Sequence, residues 1–135
     1  MKVESKSKRG KLARASGARF ELVVRADLEK DGWIVAKWMN NVDSGKIIPA
    51  KRKFNPFMKA LSIGTGFPDF VAFKKEGEKY EVIGVEVKTN GYLDKEEKEK
   101  CKFLLDKNIF SKILIAKKGK RNEGTIYEDF IEKYG

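Results

Sequence analysis

Apolar residues recur along the chain in two rhythms, and these rhythms divide it into elements. In residues 17–31, Phe20, Val23, Val24 and Leu28 fall on one narrow arc at 100° per residue, the period of a helix. Asp31-Gly32 closes that helix, because glycine accepts the left-handed cap conformation. Residues 33–38 (W-I-V-A-K-W) read as a first strand. Residues 69–73 and 80–88 are rich in β-branched and aromatic residues and flank a polar segment, 74–79, with a glycine near its middle. That pattern predicts a β-hairpin. A second helix is expected over residues 94–105, and a buried strand within 109–116, where the apolar run K-I-L-I-A is continuous. A short amphipathic helix over residues 126–134 closes the chain. Residues 1–16 read as a basic, mobile arm that joins the first helix from about Lys11, and residues 40–45 as a turn-rich link. Within the long segment 46–66, Asn55-Pro56 predicts a single helical turn through Leu61. These elements predict one α/β domain over residues 1–135, a mixed four- to five-stranded sheet flanked by helices.

Chemistry collects on the hairpin. With its turn centred between Gly77 and Glu78, pairing runs at a constant index sum and Asp69 falls opposite Glu86. Opposed residues of an antiparallel pair share a face, with Cα atoms about 4.5–5.5 Å apart. Lys88, two residues beyond Glu86, joins them, while Ile83, Val85 and Val87 point to the other face. Two carboxylates so close repel each other unless a cation lies between them or one keeps its proton. A hard divalent ion that prefers oxygen, Mg²⁺ or Mn²⁺ in its place, would meet that need. Lys88 could then orient or activate an attacking water, or stabilise charge developing on a phosphate. The same residues also suit an ordinary hairpin with a charged edge, in a chain dense in such residues.

Composition narrows the chemistry. Of the 135 residues, 30 are Lys or Arg and 20 are Asp or Glu, a formal charge of +10, which favours a polyanionic partner and nucleic acid before membrane. The absence of histidine excludes a His general base and a Ser-His-Asp triad. The lone Cys101 excludes an intrachain disulfide and a Cys-based structural zinc site, and reads as core. The N-terminal segment has no apolar stretch of the secretory kind and no run approaches a membrane span, so a cytoplasmic location is expected.

Pro68-Asp69 followed by Glu86-Val87-Lys88 resembles the signature of the PD-(D/E)XK nucleases, whose fold is restriction-endonuclease-like. The order of elements around it resembles the archaeal Holliday junction resolvases and the small virus-type replication-repair nuclease domains, over residues 17–116. The resemblance implies a Mg²⁺-dependent DNA endonuclease acting on branched DNA as a homodimer. Asp69 and Glu86 would hold the metal with the carbonyl of Val87, and Lys88 would serve the water. It further implies an assisting acid on the first helix. Glu21, at the edge of the apolar arc, is the candidate, with Asp27 its rival and an Arg25 ion pair the simpler explanation of Glu21. Ser44, in V-D-S-G, matches the Ser-Gly that follows the first strand in these resolvases. Glu97 stands where relatives carry a glutamine that orients water or phosphate; with Asp94 it equally makes a capping box.

Further cations are candidates for nucleic-acid contact: Arg14 and Arg19 toward the N-terminus, Lys46, Lys51, Arg52 and Lys53 in the segment 46–66, and Lys118 in the basic loop after the buried strand. In 46–66 they alternate with Phe54 and Phe57, which could stack on bases or simply dock the segment on the core. Three other readings stay open: a DNA-binding protein on an inherited nuclease fold, a repair or restriction-type nuclease cutting flaps or duplex, and an RNA-cleaving enzyme, which the absence of histidine disfavours.

Overall fold

A computed structural model describes residues 6–50, 52–55, 60–63 and 66–135, with side chains from residue 15 onward except those in 51–65. Its frame is a five-stranded mixed sheet in the order β1 (Ile34–Lys37), β6 (Phe70–Glu76), β7 (Lys79–Val87), β8 (Ile113–Lys118), β9 (Thr125–Asp129). All neighbours run antiparallel except β7 and β8. That parallel pair needs a crossover, which α2 (Lys95–Asp106) supplies.

The long helix α1 (Lys6–Lys30) covers one face. Phe20, Val24 and Leu28 are buried there against Val35, Phe70, Ala72, Ile83 and Val85. Val23 is 54% exposed, so the buried stripe is narrower than the apolar arc. On the opposite face, α2 and the short α3 (Phe130–Tyr134) bring Cys101, Leu104 and Phe130 onto Phe67, Phe110, Ile113 and Ile115. Each such fully buried large side chain stabilises the fold by about 1.5–3 kcal/mol. Among the described residues no helix is long and apolar enough to cross a membrane.

Four elements depart from the sequence expectation. Helix α1 begins at Lys6, not in the second decade of the chain, because residues 6–16 are mostly good helix formers without an apolar stripe to announce them. Residues 40–45 form half of a hairpin, β2 (Asn40–Asp43) with β3 (Lys46–Pro49). Its two turn residues, Ser44 and Gly45, both have positive φ, as the favoured two-residue turn requires. Leu61, expected to end a helical turn, lies in a strand: β4 (Arg52–Asn55) pairs with β5 (Ala60–Ile63), with Phe54 opposite Leu61 in register, while residues 56–59, where that turn would fall, lie outside the described residues. Residues 125–129 are strand, not helix. They pair with β8, and only from Phe130, capped by Asp129, does the chain turn helical.

The β6–β7 register is the one the turn predicts, running from Glu76↔Lys79 to Phe70↔Val85. Gly84 lets the chain close over this pair. A Cβ there would lie 2.9 Å from Pro68 Cγ and 3.1 Å from Phe110 Cδ2, so only glycine lets the buried Pro68 rest on β7. Pro68 in turn delivers Asp69 to the end of β6.

Candidate active site

At the carboxyl end of β7 a cleft of about 360 Å³ gathers Glu21, Asp69, Glu86, Val87, Lys88 and Glu97, with Asn41, Asp94, Glu96 and Lys100 around them. The acids come from four different elements or their flanks, and none is adjacent to another in sequence except Glu96 and Glu97.

Asp69 and Glu86 are tied crosswise. The Asp69 N–H donates to Glu86 Oε1 at 3.1 Å, and the Val87 N–H donates to Asp69 Oδ2 at 2.8 Å. Glu86 is only 5% exposed. Burial first, then its hydrogen bond with Asp69 and the charge of that neighbour, push its pKa up to about 10, against the partial relief that Lys88 provides. Without a cation the crowded pair therefore favours retaining a proton. Glu21 reaches the same cleft from α1, and its pKa is raised by burial and by Asp69, with Lys37 opposing. Asp27 is engaged elsewhere: Tyr127 Oη donates to its Oδ2 at 2.6 Å. The structure thus separates the two helix acids. Glu21 nevertheless does not pair with Arg25, which binds Glu29 at 3.3 Å and donates to the Val35 carbonyl.

Lys88 and Glu97 form an ion pair of 2.6 Å, with side chains 31% and 15% exposed. Burial works against the ammonium, but the hydrogen bond and charge of Glu97, followed by Glu86 and Asp94, outweigh it and raise the Lys88 pKa. Glu97 also caps α2. The Glu97 N–H donates to Asp94 Oδ1 at 2.8 Å and the Asp94 N–H donates to Glu97 Oε1 at 3.0 Å, the reciprocal capping box. One carboxylate therefore makes the expected capping box with one oxygen and holds Lys88, a pairing the sequence did not suggest, with the other.

The donor set suits a hard cation: oxygen only, with a buried Glu86 beside a half-buried Asp69, two charges that repel unless a cation or a proton intervenes. An extended residue turns its N–H and C=O to the same side, so the Val87 carbonyl faces the Asp69 side as its N–H does. Among the described residues no three acidic or Cys side chains gather into a ready-made metal cage, so Asp69, Glu86 and the Val87 carbonyl form an open, partial set. Mg²⁺ commonly binds through one or two carboxylates and keeps its remaining positions for water and phosphate oxygens.

The other sequence candidates lie apart. Ser44 sits exposed in the β2–β3 turn and donates to Asp43 Oδ1 at 3.3 Å, beside Glu96, Glu99 and Lys100 of α2 rather than within the acid cleft. Lys46 starts β3, exposed on that hairpin. Arg19 and Lys118 meet in a second cleft on the other flank of α1. Lys51 and the side chains of Arg14, Arg52 and Lys53 lie outside the described residues. Sequence reasoning missed Asn41 and Lys100. Asn41 arrives through the inserted hairpin, which carried no hairpin signal beyond Ser44-Gly45. Lys100 stands one turn after Glu97 on α2, a spacing that was visible.

Comparison with protein-family models, curated proteins and solved structures finds no match for this chain. The class that fold and cleft define is an α/β protein with a mixed five-stranded sheet and an acid-rich cleft at the end of its central strands.

Proposed function

We propose that the protein is a Mg²⁺-dependent endodeoxyribonuclease of restriction-endonuclease-like fold, acting on branched DNA such as Holliday junctions as a cytoplasmic homodimer. The observation that carries this reading is the buried Glu86 hydrogen-bonded to the half-buried Asp69, with the Lys88 ammonium beside them, in a cleft open to solvent. Asp69, Glu86 and the Val87 carbonyl would hold the ion, which when bound supplies Lewis acidity and lowers the pKa of a water. Lys88, kept cationic by Glu97, stabilises negative charge on the phosphate rather than taking a proton. Glu97 fixes the direction of Lys88. Glu21, which lines the same cleft from α1, would orient the water, its raised pKa giving it the basicity to accept a hydrogen bond from it.

Cleavage of a labelled four-way junction, compared with duplex, nicked and flapped DNA, tests the proposal. Paired cuts confined to the junction, lost with EDTA and in Glu86→Gln, are expected. Cuts in flaps or duplex would keep the chemistry and move the substrate. The tight Lys88–Glu97 pair favours one rival, a non-catalytic DNA-binding protein, since Glu97 already balances the Lys88 charge and leaves less of it for a phosphate. Salt-sensitive binding unaffected by EDTA, with no cutting of any substrate, would establish that rival.

A further inference from the structure

Beside the acid cleft, α1 separates it from a cleft of about 480 Å³ between the helix and the β8–β9 turn. Arg19, Lys118, Lys120 and Arg121 line it over an apolar floor that includes Phe20, and no Asp or Glu lines it. None of these four cations takes part in an ion pair among the described residues, whereas the neighbouring Lys117 is held by Glu128 at 3.0 Å. Three of them ride on a tight turn. The Glu123 N–H donates to the Lys120 carbonyl and the Gly119 N–H to the Gly124 carbonyl, each at 2.9 Å, with Asn122 at φ 73°. Four cations lining one cleft with no acid among its lining residues repel one another, an arrangement that an anion relieves.

Its position says which anion. β7 and β8 run parallel, and the Lys88 N–H donates to the Ala116 carbonyl while the Lys118 N–H donates to that of Thr89. Lys88 and Lys118 therefore stand at the same end of the sheet. Arg19 and Glu21 lie about 200° apart around α1, on opposite flanks of its buried stripe. The acid cleft, with six acids to two lysines, repels a polyanion, and something next to it must attract one.

We propose that this basic cleft is a phosphate subsite that grips the backbone of the nucleic-acid strand a few nucleotides from the acid cleft. It rests on the nucleic-acid part of the proposed function, not on hydrolysis. A helix about 10 Å across separates the clefts, which at 3.4 Å per nucleotide corresponds to about three nucleotides. Lys120 and Arg121 thus join Arg19 and Lys118 as binding residues.

The test is binding of a labelled four-way junction in EDTA, read by anisotropy across a salt series, so that cleavage plays no part. The variant Arg19→Gln/Lys120→Gln/Arg121→Gln changes exposed side chains only. Lys75→Gln/Lys79→Gln/Lys107→Gln removes the same charge at the far end of the sheet. The cleft variant should bind about tenfold more weakly, and its log–log salt slope should fall by about 2–3, with the control close to wild type. Equal losses in both variants, or none in the cleft variant, would overturn the subsite. Calorimetry with inorganic phosphate and with AMP separates the sources of phosphate. Stoichiometric micromolar binding of either, lost in the cleft variant, would overturn the strand assignment; millimolar or weaker binding supports it. A protein that passes this test and cuts nothing would refute the nuclease reading and leave the subsite standing.

Discussion

Replacing Glu86 by glutamine should make the metal-free protein more stable at neutral pH, although it removes a residue assigned to the centre of the site. Glu86 has an ordinary pKa near 4.5 when unfolded and a far higher one when folded, chiefly through burial and then through Asp69. Between those values folding takes up a proton, so the folded state binds more protons than the unfolded one and stability falls as pH rises. The slope for one proton is about 1.4 kcal/mol per pH unit, or up to about 2.7 kcal/mol between pH 5.5 and 7.5. Glutamine keeps the shape, accepts the Asp69 N–H in place of Oε1, and donates its amide to the Asp69 carboxylate without a proton to lose. Urea unfolding in EDTA across that pH range, followed by the fluorescence of Trp33 and Trp38, measures the effect. Wild type should lose stability as pH rises, and Glu86→Gln should lose about 2 kcal/mol less. Added Mg²⁺ should restore wild type at pH 7.5 by mass action and leave the variant unmoved. Parallel pH slopes for the two proteins, or a variant less stable at pH 7.5, would refute the buried-proton argument.

Three further outcomes follow from the same geometry. Glu97→Gln preserves the capping box, since glutamine serves at that helix position, but removes the charge that raises the Lys88 pKa. Cleavage should persist at pH 7 and its alkaline limb should move to lower pH, whereas an unchanged profile would remove Lys88 from the chemistry. Gly84→Ala drives a methyl into Pro68 and Phe110 and should cost about 1–3 kcal/mol in urea unfolding, with cleavage reduced beyond the loss of folded protein because Asp69 shifts with Pro68. Glu21→Gln should lower kcat by about tenfold to a hundredfold while Asp27→Asn leaves it unchanged, an expectation that equal effects on single-turnover rates would contradict.

The face shared by Asp69, Glu86 and Lys88 was legible because a strand has period two and the hairpin turn sets its register; one index sum decides every pair. The α/β class was legible for the same reason, from strands and helices with clean rhythms. The choice between Glu21 and Asp27 was not. Glu21 lies at the edge of the apolar arc of α1 and Asp27 inside it, and what separates them is Tyr127, on a strand whose spacing of Ile126, Tyr127, Phe130 and Ile131 fits a helix. The start of α1 was hidden because residues 6–16 carry no apolar stripe. The meeting of Arg19 with Lys120 and Arg121 depends on which flank of α1 faces β9, a tertiary fact that no local pattern encodes.

The insertion between β1 and β6 leaves and re-enters the fold at one place. The Ala50 N–H donates to the Met39 carbonyl and the Phe67 N–H donates to that of Asn40, both at 2.8 Å. The stretch between Ala50 and Phe67 is thus a closed excursion with both ends stapled to consecutive residues. Its length can change by whole hairpins while every strand of the five-stranded sheet keeps its partners, at an entropic cost of only about 0.6 kcal/mol per doubling. The acids at the end of β6 and β7 are insulated from that change, so this doorway in the backbone lets the excursion lengthen or shorten without rebuilding the strands that carry the carboxylates.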